Sequence, residues 1–195
     1  MEAVPNAAID ALNHGGDPAG EGCAAWDRRF EEGPAPERAR LCARLHGCAY
    51  VGPGIVEADG IDRLNIYCAT MKAMTLAVDQ LVGVLGLAPG HVLVDGNRLP
   101  RWGYAATAIV GGDAISLSIA AASIVAKHTR DTIMIAHAEA HPHYGWHSNK
   151  GYAAPDHLRA LREHGPCVLH RRSFAPVAQA ELPLSIPAES FAPHP

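Results

Sequence analysis

The sequence predicts an α/β domain. Two short apolar runs, residues 91–95 and 105–110, are bounded by glycine and proline as strands are. Longer stretches on either side repeat their apolar residues every three or four positions, the period of a helix buried on one face. The two kinds alternate, which lays strands among helices. At 195 residues the chain is long enough for one domain with a real core.

Each element has its own grounds. Residues 1–34 are rich in Gly, Ala, Pro and Asp without a sustained period, so they predict an atypical, loop-like segment. Residues 36–46 predict a short amphipathic helix, with proline at the start and Leu41 and Leu45 on one face. Residues 49–56 predict a short strand interrupted by Gly52-Pro53-Gly54. Residues 61–85 predict one strong helix, carried by Ile61, Leu64, Cys68, Met71, Val78 and Leu81 and closed by Gly86 and Pro89. After the two strands, residues 119–141 predict a long helix whose Ala/Ser-rich first turns allow close approach. Residues 142–152 predict a loop, and residues 155–164 a helix from Pro155 to the stop at Gly165. From Ala175 there are five prolines in 21 residues, and no regular structure is expected. The domain proper is therefore 35–177, followed by a Pro-rich tail, 178–195.

Composition is that of an ordinary soluble protein, 48% hydrophobic and 18% charged. The longest apolar run, 115–126, is broken by serines and falls short of the ~20 residues of a spanning helix. The first residues lack a basic segment followed by an apolar one, so secretion is not expected. Five scattered cysteines without a Cys-x-x-Cys pair read as free thiols, and a cytoplasmic location is expected. Net charge is −4, unevenly spread. Residues 1–66 hold 11 acids and 6 Lys/Arg, whereas residues 114–173 hold 4 acids, 7 Lys/Arg and eight histidines. A basic half in an acidic chain is what a phosphate-binding face looks like.

The chemistry centres on two aspartates. An apolar strand that ends on Asp95 presents a carboxylate at the rim of a sheet, where a hydrated cation can reach it. Asp113, 18 residues later, follows Gly111-Gly112 and can converge on the same ion. His137 and His141 stand four apart with His143 and His147 nearby, but Glu139 is one place off the His-Glu-x-x-His order of a zinc protease.

Over about residues 47–177 the chain resembles ribonuclease HII, the type 2 ribonuclease H family. The resemblance is carried by Ile61-Asp62-Arg63-Leu64-Asn65-Ile66, Ala69-Thr70-Met71-Lys72, Leu93-Val94-Asp95-Gly96-Asn97-Arg98 and Gly111-Gly112-Asp113. It continues through the run 120–131, Tyr144-Gly145-Trp146, Lys150-Gly151-Tyr152, His157, and His170-Arg171-Arg172-Ser173-Phe174. It implies a ribonuclease H-like mixed sheet flanked by helices. It also implies an endonuclease that cuts the RNA strand of RNA–DNA hybrids and nicks on the 5′ side of ribonucleotides embedded in duplex DNA. Two Mn²⁺ or Mg²⁺ ions would serve, with Asp95 and Asp113 as ligands. Tyr152 would lie at the RNA–DNA junction, with Lys150, Lys127 and Arg130 as phosphate contacts.

The chain departs from the family's pattern upstream. The Asp-Glu dyad and Ala-Gly-Arg-Gly turn of the family's first strand have no match in residues 1–60, where Asp10 is the nearest candidate. The N-terminal hairpin is thus expected to be incomplete, in a truncated or atypical region. An impaired relative that binds hybrid without cutting is the alternative, and a product that barely folds is a third. In the tail, Gln179-Ala180-Glu181-Leu182-Pro183-Leu184 is similar to peptides that dock on bacterial sliding clamps. A monomer without membrane contact is expected.

Overall fold

The computed structural model describes residues 33–181. Eight helices and two strands are described in the order α1 (Ala35–Cys48), α2 (Ala58–Leu64), α3 (Ile66–Leu85), β1 (Val92–Asp95), β2 (Ala106–Ile109), α4 (Gly112–Ile115), α5 (Leu117–Ala140), α6 (Trp146–Asn149), α7 (Pro155–His164) and α8 (Ala175–Glu181), with one 3-10 turn at Pro142–Tyr144. The architecture is α/β and mostly helical. Among the described residues the sheet is one parallel pair, with Val92 opposite Ala106 and Asp95 opposite Ile109.

Two helices organise the core. Helix α5 packs Ala121, Ile124, Val125 and Ala126 against Leu41, Cys42 and Leu45 of α1. Further along, its Met134 and Ala138 meet Tyr144, Trp146, Ala160, Leu161 and Val177. Helix α3 sets Ala69 and Ala73 against Val56 and Ile61, and Met74 and Val78 against Val92 and Val94 of β1. By length and composition α3 could cross a membrane, which the reading of apolar runs did not register. Here its face of Ala69, Ala73, Ala77, Val78 and Leu81 is core.

The structure corrects three local expectations. The helix expected over 61–85 is two, because Asn65 adopts φ 67° and its side chain accepts the Cys68 N–H at 3.0 Å, capping α3 afresh. No strand extends over 49–56. A Cβ on Gly54 would stand 1.8 Å from the Ala73 carbonyl oxygen, so this segment lies flat on the backbone of α3. Residues 175–181 are helical rather than irregular: Pro176 sits in the first turn, where it is tolerated, and Val177 is buried in the C-terminal core. The other expected strands and helices fall within a few residues of those observed. Asp10 and residues 182–195 lie outside the described residues.

Candidate active site

Asp95 is the last residue of β1, where the strand's buried Val92 and Val94 fix its exit from the sheet. Its Oδ1 accepts the Gly112 N–H at 2.9 Å, across the turn that leads from β2 into α4. Gly112 is closely packed: a Cβ there would press on the tip of Ile119, Cδ1 at 2.5 Å, and touch Asp95 Oδ1 at 3.4 Å. Asp113 is the next residue, half-buried in the first turn of α4, whose N-cap is Gly111. The fold therefore brings the two sequence-predicted carboxylates to one corner. Among the described residues, no group of three or more His, Cys, Asp or Glu could hold a metal ion. Mg²⁺ keeps several waters and asks for few carboxylates, so the pair suits one largely hydrated hard cation. It does not by itself supply the ligands of a two-ion centre.

Helix α5 leaves this corner and carries the second half of the site. Arg130 is buried; its Nη1 donates to the Tyr152 hydroxyl at 2.9 Å and its Nη2 to the Lys150 carbonyl at 2.9 Å. Its guanidinium also lies 4.2 Å from the centre of the Tyr152 ring. Lys127 Nζ is 3.5 Å from the same hydroxyl and 5.2 Å from the ring centre. The Lys150 ammonium turns back to the His147 carbonyl. All four residues predicted to meet substrate thus share one patch, on which the Tyr152 ring is 53% exposed. Arg130 orders that patch from beneath, while Lys127 and Tyr152 form its surface.

Sequence reasoning did not single out the residues that hold the Tyr152 loop. Asn149 donates from Nδ2 to the Tyr144 carbonyl at 2.9 Å and to Asp156 at 3.0 Å, and its Oδ1 accepts the Gly151 N–H at 2.8 Å. The Asn149 bond to Asp156 holds that carboxyl below its usual value. Asp62 accepts the Arg172 and Ser173 N–H groups at 2.8 and 2.9 Å and the Ser173 hydroxyl at 2.6 Å, joining α2 to the C-terminal turn. Burial opposes ionisation of Asp62, but these bonds prevail and its pKa is lowered. Arg171 is buried over the Phe174 ring at 3.3 Å, and burial, then Arg130, brings its pKa down to about 10. His170 and Arg171 are thus core groups. The lone signal for Asp62 was its place in the quoted run 61–66.

Comparison with known proteins identifies the family and the fold. The family model of Ribonuclease HII matches residues 41–177. Ribonuclease HII of Novosphingobium aromaticivorans is 55% identical over 155 residues, which cover 76% of this chain and 79% of that one. Ribonuclease HII of Sphingopyxis alaskensis is 57% identical over 148 residues, covering 76% and 73%. The crystal structure of the ribonuclease H2 from Pyrococcus horikoshii OT3 superposes with a TM-score of 0.62 over 93% of this chain and 94% of that one. At 17% identity, that likeness speaks for the fold alone. The matched region spans α5 and both aspartates, and on it the chain belongs to the ribonuclease HII family of RNase H endonucleases.

Proposed function

We propose that the protein hydrolyses the RNA strand of RNA–DNA hybrids and nicks on the 5′ side of ribonucleotides embedded in duplex DNA, leaving 5′-phosphate and 3′-hydroxyl ends. The observation that carries this reading is the Asp95–Gly112 bond, which sets Asp95 beside Asp113 of α4, the short helix just before the one that bears the cationic patch. Lys127 lies ten residues along α5 from Leu117, ~15 Å of helical rise. That distance spans about four base steps of a duplex strand at ~3.4 Å each. One bound strand can therefore meet the carboxylates and the patch together.

Asp95 and Asp113 would hold Mg²⁺ or Mn²⁺, which supplies an activated water and charge stabilisation at phosphorus. The Gly112 N–H keeps the Asp95 carboxylate in place at the end of β1. Lys127 neutralises backbone phosphate, and the exposed Tyr152 ring offers a sugar or base a flat apolar surface, held still by Arg130. A second reading, a hybrid-binding protein that does not cut, draws support from the absence of a third ligand among the described residues.

The test is a labelled DNA duplex carrying one ribonucleotide, incubated with Mg²⁺ or Mn²⁺. Cleavage on the 5′ side is expected, with a loss of at least ~100-fold in Asp95→Asn, more than the loss of an outer partner brings. Tight binding without cleavage by the unaltered protein would replace this reading with the second. Work on such substrates fits a monomer in the cytoplasm serving DNA replication and repair. We include in the proposal a sliding-clamp contact through residues 179–184, supported by the exposed Gln179 at the end of α8. Unchanged clamp binding after Leu182→Ala would remove that contact.

A further inference from the structure

Behind Tyr152 a chain of hydrogen bonds runs through the core, and groups that act in only one sense fix its direction. The Cys167 main-chain N–H donates to His170 Nδ1 at 3.0 Å, so the His170 proton sits on Nε2. His170 Nε2 lies 3.2 Å from His157 Nε2, which also receives the Trp146 indole N–H at 3.3 Å. His157 therefore accepts at Nε2 and keeps its own proton on Nδ1. That nitrogen is 2.9 Å from the Tyr152 carbonyl oxygen, a group that only accepts. Three independent neighbours thus demand the same tautomer. Both rings are buried, at 4% and 3% exposure, and burial favours the uncharged form of each.

The two ends of Tyr152 are thereby held from opposite sides. Arg130 of α5 holds the hydroxyl, and His157 of α7 holds the main chain. The loop between needs such support. Lys150 has φ 49° and Gly151 φ 76°, a left-handed pair that local bonding to Asn149 supports only in part.

We propose that His157, with its tautomer fixed by His170, Trp146 and the Tyr152 carbonyl, is a positioning residue for substrate: it fixes the Tyr152 main chain so that the ring and Lys127 present one surface to the nucleic acid. The proposal rests on the function proposed above for its second half, the contact with nucleic acid. Its first half, the hold on Tyr152, is independent of any ligand.

The experiment has two arms. The first uses protein made with ring-fluorinated tyrosine at its five positions, with the Tyr152 fluorine resonance assigned by Tyr152→Phe. His157→Phe keeps the volume and removes the donor, whereas His157→Asn sets an amide N–H where Nδ1 stood. We expect the Tyr152 resonance to shift and broaden in His157→Phe and to return in His157→Asn. A Tyr152 signal that His157→Phe leaves untouched overturns the proposal. Should His157→Phe not fold, long-range nitrogen–proton NMR of the unaltered protein reads the His157 tautomer, and an Nε2–H form overturns the hold on Tyr152.

The second arm measures binding of the ribonucleotide-bearing duplex in Ca²⁺, which holds turnover off. His157→Phe is expected to weaken binding about tenfold, and to have no further effect in a Tyr152→Ala background. A loss that adds in full to that of Tyr152→Ala would make the role merely structural. Absence of duplex binding by the unaltered protein would remove the substrate role and the proposed function together, while the fluorine response still decides the hold on Tyr152.

Discussion

Gly54 and Gly112 show how single residues set the site. Each stands where a methyl group would press on a neighbour, Gly54 on the Ala73 carbonyl and Gly112 on the tip of Ile119. Gly54→Ala is expected to cost about 1–3 kcal/mol, since the obstacle is helix backbone that cannot turn aside. Thermal unfolding of the variant checks this, and an unchanged midpoint would mean that the segment does not lie on α3. At this scale the sequence was partly legible. Asp95, Asp113, Tyr152, Lys127, Lys150 and Arg130 could be picked out, because strand ends, glycine turns and family motifs mark them. Asn149 and Asp62 could not, since their work is to satisfy main-chain groups far away or out of pattern. No periodicity announces such a task.

Between elements, the join of α1 to α5 hangs on a largely buried ion pair. Arg38 Nη2 meets Asp131 Oδ2 at 2.9 Å, with the two side chains only 12% and 11% exposed. Lys127 and Arg130 stand 3.6 and 3.5 Å from the other Asp131 oxygen. Removing Arg38 leaves a buried carboxylate with weaker company, so Arg38→Ala should cost about 3 kcal/mol. Arg38→Met combined with Asp131→Leu should recover most of that stability in urea unfolding. If Arg38→Ala proved neutral, the packing of Leu41, Cys42 and Leu45 would be the whole of the join. The amphipathic period announced α1 and α7 because one face of each is apolar, and a long run of small and apolar residues announced α5, whose first turns are buried all round. It failed at Asn65 and Gly52-Pro53-Gly54, where one side-chain cap and one close approach override the pattern. It failed again at α8, whose prolines suggested a tail although Val177 finds a core to enter.

The whole molecule should answer to acid through its C-terminal core. His170 stands among His157, Cys167, Tyr144, Trp146 and His141, and burial pushes its pKa from 6.5 down to about 3, with His157 adding to the effect. Its folded pKa is lowered, so the unfolded chain binds the proton more readily between those values. Stability is then full above about pH 6.5 and falls toward pH 3, by ~1.4 kcal/mol per pH unit for this group once below 6.5. Unfolding of the protein and of His170→Gln at several pH values separates this slope from that of the carboxylates. Equal slopes would mean that His170 is charged in the fold. The sheet carries a different consequence. Among the described residues the sheet is two parallel strands, a short scaffold, and Leu93, Val110, Ile115 and Leu117 are exposed on or beside them. Molecules that meet at this rim can exchange solvent for one another, and such encounters scale with the square of concentration. Loss of the protein through such encounters would rise faster than in proportion to its concentration.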